Sequence, residues 1–186
     1  MPLSPPADRE EIHDRYVTCR GFRRTDGLWD IEGRLLDTKT YGFSNRDRGR
    51  IEAGAPLHQM VCRLTLDDGM VIRAAEASID HAPYHLCPHA AGAVARLVGV
   101  TVGPGFRGRV ARALGGAESC THLRALLDPM ARTAWQTIVP RLARERGHSP
   151  HADAGGERPA MIDSCHAWRA DGPVVQREYP EWYEGE

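Results

Sequence analysis

The stretch from Leu57 to Asp80, LHQMVCRLTLDDGMVIRAAEASID, decides how the chain is read. Two runs rich in β-formers flank Asp67, Asp68 and Gly69, and an Asp-Asp-Gly turn between such runs is the strongest hairpin signal in the chain. Cys62 falls inside the first run, where a cysteine behaves as a small hydrophobe. A second hairpin is expected upstream. Tyr16 to Phe22 contains β-formers, RRTDG punctuates it, and LWDIEGRLLDTKTYGF then supplies a strand of about ten residues.

Side chains alternate along a strand, so Trp29, Ile31, Gly33, Leu35, Asp37 and Lys39 share one face of that second run. An apolar face thus ends in an acid and an amine. Asp30, Glu32 and Arg34 share the other face, where cross-strand pairing with Arg23 or Arg24 is the ordinary explanation. Lys39 is the only lysine among the 24 basic residues. An ammonium can lose its proton on burial and a guanidinium does not, so Lys39 is a candidate acid/base group, with solvated surface as the alternative. Asp37 and Lys39, with Asp30 or Glu32 behind them, form the candidate catalytic set.

The polar, glycine-bearing SNRDRGRIEAGAP predicts a loop between the hairpins. After Ile79 the period changes. CPHAAGAVARLVG predicts a helix with Ala91, Val94, Ala95 and Val98 on its apolar face, Cys87 at or just before its N-cap, and Gly99 as its stop. VTVGPGFRGRVARALGG is read as a short extended piece followed by a short helix. Ser119 or Cys120 then starts a long helix through HLRALLDPMARTAWQTIVPRLARER, with Leu123, Leu126, Leu127, Met130, Ala134 and Ile138 as its buried stripe. Pro129 falls inside it and is expected to kink it.

These elements predict an α+β fold, an antiparallel β-sheet built from hairpins with helices packed on one face. A chain of 186 residues, 41% hydrophobic, has room for one domain with a real core. Residues 1–15 are expected as an irregular lead-in, 16–146 as the domain, 147–159 as a linker, and 160–186 as an aromatic tail packing back on the domain. A net charge of -1 gives no electrostatic reason to expect nucleic acid or an anionic membrane as partner. No apolar run approaches a membrane span, and MPLSPPADREE lacks the regions of a signal peptide, so a cytoplasmic location is expected. Five cysteines without regular spacing fit reduced thiols better than a disulfide framework.

Two of those cysteines, Cys87 and Cys120, lie with four histidines in the segment from Ile79 to Leu123. Thiolate and imidazole are the ligands of zinc and of iron–sulfur clusters, so Cys87, Cys120, His122 and Cys165 form a candidate metal set, with His81, His85 and His89 as substitutes. The CxxC knuckle of zinc motifs is absent. Without a metal, the same groups point to cysteine chemistry with His122 as base. The structural alternative is a helix start capped by Ser119 or Thr121 above core cysteines.

The strings GFRRTDGLWDIEGRLLDTK, APYHLCP, GGAESCTHL and DSCHAW, followed by YPEWY, resemble the bacterial family known as domain of unknown function 2889 over nearly the whole chain. The likeness departs at Ser119, where the family pattern leads one to expect glycine before the cysteine. It implies no particular activity. Antiparallel strands with one cysteine opening a helix and another opening a later long helix are also similar, in architecture alone, to U-type iron–sulfur scaffold proteins. The functional expectation is therefore a small-molecule enzyme with a Cys/His site for zinc or iron. The alternatives are a metal or iron–sulfur carrier and a metal-free interaction domain.

Overall fold

The computed structural model describes residues 3–146, 158–159 and 161–185. Most of the expected linker at 147–159 lies outside the described residues. The chain divides into two units, residues 1–138 and 139–186.

The first unit is built on a four-stranded antiparallel sheet of β1 (His13–Arg23), β2 (Trp29–Lys39), β5 (His58–Leu66) and β6 (Ile72–His81), in the spatial order β1-β2-β5-β6. Both expected hairpins are present. The face assignment of β2 holds as well: Trp29, Ile31, Gly33, Leu35 and Asp37 are buried, and the residues between them are not. Opposite them on β5 stand Met60, Cys62 and Leu64, also buried, so the two central strands present one continuous apolar surface. The outer face is polar, and Arg63 donates there to both Glu32 on β2 and Glu76 on β6, a charge ladder across three strands.

A long helix, α2 (Thr121–Glu145), covers the apolar face. Its buried residues within the helix are Leu123, Leu126, Leu127, Met130, Ala134 and Ile138, the expected stripe at helical spacing. Pro129 is accommodated within the helix without ending it. Glycines on the strands let the helix approach. A Cβ at Gly33 would stand 2.6 Å from Met130 Sδ, and one at Gly21 would overlap the Thr137 side chain. The helix therefore runs along the sheet from the Asp37 end of β2 toward the Trp29 end, which decides what meets at its N-terminus.

Two expectations are corrected. The segment 44–56 is not all loop, since Phe43–Asn45 (β3) and Gly49–Ile51 (β4) pair as a small hairpin whose turn carries Gly49 at φ 71°. The helix expected after Cys87 is a 3₁₀ segment, Cys87–Leu97. With three residues per turn, its inward positions fall at Val94 and Leu97, and Val98 is left half exposed. Gly99 adopts a positive φ directly after it, and the segment 99–102 then bonds back to Met70 and Ile72 at the start of β6. A short helix, α1 (Phe106–Leu114), follows. In the second unit, Ile162, Ala170, Val175 and Tyr179 form a small core around α3 (Pro173–Glu178), flanked by Met161, Trp168, Trp182 and Tyr183.

Candidate metal centre at the end of the sheet

Asp37 is the one carboxylate of β2 that faces the core, and it is 0% exposed. An ionised group removed from water needs partners, and register supplies them. Arg15 on β1 lies directly across from Asp37, and His58 on β5 lies across on the other side. Arg15 donates from Nε and Nη2 to the two carboxylate oxygens at 2.6 and 2.7 Å. His58 Nδ1 faces Oδ2 at 3.0 Å, and His13 Nε2 lies 3.6 Å from Oδ1. The first turn of α2 brings His122, whose Nε2 is 3.9 Å from Oδ2 and whose ring stacks on that of His58 with centroids 3.8 Å apart. Cys120, just before the helix, places Sγ 4.0 Å from His122 Nδ1.

The electrostatics follow from this packing. Burial pushes the Asp37 carboxyl up, but Arg15, helped by the charges of His58 and His13, outweighs it and holds the group below the usual carboxylate range. His58 is lowered by burial and by the neighbouring His122, with Asp37 opposing. His122 is lowered by burial and by Arg15, again against Asp37. The balance is one carboxylate anion beside two imidazoles that favour the neutral form, the protonation state in which a histidine ligates a metal.

Asp37, His58 and His122 form a group whose ligand atoms all lie within 4.8 Å of one another, so they could hold a metal ion. Ligands around a centre with bonds of ~2.1 Å sit about 3.0–3.4 Å apart, so the 3.0 Å spacing fits and the 3.9 Å spacing needs a movement of a few tenths of an ångström.

The residues singled out from sequence are distributed as follows. Asp37, Cys120 and His122 come together. Lys39 stands at the end of β2 with Nζ 5.2 Å above the Tyr41 ring, and Arg15 supplies the ion pair to Asp37. Asp30 and Glu32 lie on the opposite face, Asp30 accepting from Thr65 and Glu32 from Arg63, so neither stands behind Asp37. The strand geometry explains this, because residues of unlike parity point to unlike sides. Cys87 opens its 3₁₀ segment and is half-buried; it is not a member of the three-residue group, and Cys165, exposed, belongs to the second unit. His81 ends β6 with a buried Nδ1 that has no partner among the described residues, and the backbone N–H groups of His85 and His89 bond to Asp47 and to the Leu86 carbonyl. His13, Arg15 and His58 were not singled out from sequence. Their signal was available only as strand register, since each sits across from Asp37 or Lys39.

Among the described residues, no helix is long and apolar enough to cross a membrane. Searches of curated proteins and of solved structures find no match to the sequence. The sequence profile of one family matches residues 13–136, a span that holds all four strands of the sheet and every residue around Asp37, and the chain belongs to that family, described as proteins of unknown function (DUF2889).

Proposed function

We propose that this protein is a metal-dependent enzyme acting on a small molecule, with Asp37, His58 and His122 as the ligands of one zinc or iron ion. The observation that carries the reading is the convergence of two imidazoles, both favouring the neutral form, on one buried carboxylate oxygen. Two histidines and a carboxylate suit a mononuclear ion better than an iron–sulfur cluster, which is held mainly by thiolates. Three protein ligands leave coordination positions open, as catalytic sites do and closed structural sites do not. A bound ion would supply Lewis-acid polarisation of a substrate oxygen.

The chain's own residues have definable parts around that ion. Arg15 grips both oxygens of Asp37 and fixes the carboxylate plane. Cys120 faces Nδ1 of His122, and a contact there selects the tautomer whose Nε2 lone pair points at the Asp37 side. His13, partly exposed beside Oδ1, is placed to exchange protons with a substrate. Five free cysteines support a reducing, cytoplasmic setting.

The test is elemental analysis of protein purified without oxygen, followed by calorimetric titration of chelator-treated protein with Zn(II) and Fe(II). One ion per chain is expected, with affinity lowered at least ~10-fold in His58→Ala and in His122→Ala. Binding no tighter than ~1 mM, or binding unchanged in both variants, overturns the reading.

A second reading rests on one further observation. Cys120, His122 and Asp37 stand in line, at 4.0 Å from Sγ to Nδ1 and 3.9 Å from Nε2 to Oδ2, the order of a nucleophile, its base and an orienting acid. Metal-free protein whose Cys120 is alkylated much faster than the same cysteine in His122→Ala would favour it.

A further inference from the structure

The first unit carries an open cleft of about 530 Å³ at the end of the sheet away from Asp37, where the β5–β6 turn, the segment leading into α1, and α2 meet. Met70, Val100 and Val102 give it apolar walls. Trp135 adds an indole that is 36% exposed and whose N–H has no partner among the described residues. Gly99 and Gly103 contribute bare backbone, with no atom within 4 Å of where a Cβ would stand, so a flat molecule can lie close to the main chain there. Met70 holds a φ of 62°, which an L side chain rarely adopts, and its carbonyl accepts from the Val102 N–H at 2.8 Å. Strain of this kind gathers where a binding surface has to be held in one shape. Along α2, Trp135 stands about 20 Å from His122 at the rise of an α-helix, so a small molecule in the cleft does not reach the Asp37 group.

Among the described residues, Arg109 is the one charged residue that lines the cleft. It donates from Nε and Nη2 to the Thr101 carbonyl at 3.2 and 2.9 Å, and from Nη2 to the Pro104 carbonyl at 2.8 Å. Carbonyls are neutral acceptors, so they fix the guanidinium without cancelling its charge. No carboxylate among the described residues pairs with it, and Nη1 has no hydrogen-bond partner there. Acids are not lacking nearby, since Arg107 on the same helix is paired with Asp128 at 2.7 Å. The first turn of α1 contains no acidic residue, so the positive end of its dipole adds to the potential of Arg109. A guanidinium already immobilised by the fold is prepared for a carboxylate, because less freedom is lost when the anion arrives. One cation suits an anion of one charge. A phosphate dianion would bring a second charge that no other lining residue balances. The indole and the bare glycine backbone favour a planar ring over a branched aliphatic chain, because stacked aromatic pairs gain more than their buried area alone provides.

We propose that this cleft binds a small aromatic monocarboxylate, with the carboxylate on Arg109 and the ring against Trp135. It is a second small-molecule site, separate from the Asp37 group, and the inference stands whether or not that group binds metal. A cleft of this volume lies within the range of ligand pockets and has room for two fused rings. With one charged contact and one side open to water, a dissociation constant of ~0.1–1 mM is expected for such a ligand.

The test uses the full chain, treated with chelator so that no metal competes for the carboxylate, and 2-naphthoate as the probe. In nitrogen-correlated NMR spectra the Trp135 indole signal is identified by its absence from Trp135→Phe. Titration of the wild type with 2-naphthoate is expected to shift that signal with a constant of ~0.1–1 mM. The carboxamide, 2-naphthamide, has the same shape without the charge and should bind at least ~10-fold more weakly; 2-naphthoate should lose as much on Arg109→Gln. The saturated analogue, decahydronaphthalene-2-carboxylate, should bind at least ~3-fold more weakly than 2-naphthoate. A Trp135 signal that stays unmoved up to ~10 mM probe, or equal affinity for acid and amide, overturns the proposal on the wild type alone, whether or not any variant folds. Equal affinity for the saturated acid overturns the aromatic assignment. An Arg109→Gln variant that is folded by circular dichroism and binds 2-naphthoate as the wild type does also overturns the proposal, because the anion then sits elsewhere.

Discussion

Replacing Asp37 by asparagine removes one charge from the interior without changing the side chain's size, and the consequence for stability follows from what surrounds it. The carboxylate receives two charge-assisted hydrogen bonds from Arg15 and faces His58 Nδ1 at 3.0 Å. Such bonds contribute about 1.5–3 kcal/mol each in net terms, so the three contacts sum to roughly 4–9 kcal/mol. Two effects reduce the loss. The desolvation that burial imposes on the carboxylate is recovered on neutralisation, and the Arg15 side chain, 43% exposed, can turn into water once its partner is gone. An asparagine amide, moreover, keeps an acceptor for one donor and turns an N–H toward another. The expected net cost is about 2–4 kcal/mol, a drop in Tm of roughly 5–15 °C for a chain of this size. Urea unfolding in the presence of a chelator measures it without any contribution from bound metal. If Asp37→Asn unfolds within ~0.5 kcal/mol of the wild type, the Arg15 and His58 contacts merely offset burial, and the carboxylate is held in place for a ligand instead of for the fold.

The remaining predictions concern the core beneath the site. Gly21→Ala should destabilise by about 1–3 kcal/mol, because its Cβ would lie 2.6 and 2.7 Å from Thr137 Cγ2 and Cβ, a branched side chain whose hydroxyl is held by the Thr133 carbonyl. Gly33→Ala should cost less, since the far end of flexible Met130 can move, and equal urea midpoints for wild type and Gly21→Ala would refute the close approach of α2 to β1. Burial pushes the Cys62 thiol up to about 12 from 9.0, so at pH 8 its thiolate fraction is about 10⁻⁴ and a disulfide reagent should leave it untouched while exposed Cys165 reacts. The raised value also means that stability from the buried neutral thiol is complete below pH 9 and is lost as pH rises toward 12, by about 1.4 kcal/mol per unit, a loss that Cys62→Ala should abolish. Rapid labelling of Cys62 in native protein at pH 8 would show that the strand opens or that the thiol is not buried.

The sequence made the elements legible where burial is periodic along one segment. The α2 stripe and the inward face of β2 emerge from spacing alone, because a period of 3.6 in a helix and of 2 in a strand returns side chains to the same side. The site is different in kind, being a relation between segments. Asp37 stood out as a charge on an apolar face, and His122 as a histidine beside a cysteine at a helix start, but nothing local marked His58, His13 or Arg15. His58 is the first residue of β5, and whether it meets Asp37 depends on hairpin register: a slip of one residue would turn it to the polar face and bring Leu57 or Gln59 across from Asp37 instead. Cys87, singled out because the segment from Ile79 to Leu123 gathers two cysteines and four histidines, is not in the group formed by Asp37, His58 and His122. The register itself was within reach. Pairing Gly33 with Cys62, the small residue against the thiol beneath Met130, places His58 opposite Asp37 four residues on, so the burial pattern that fixes the core also fixes the partners of its one buried charge. A buried charge on an otherwise apolar strand face is therefore best used as a pointer: the residues directly across from it on both neighbouring strands are the next to be tested for chemistry.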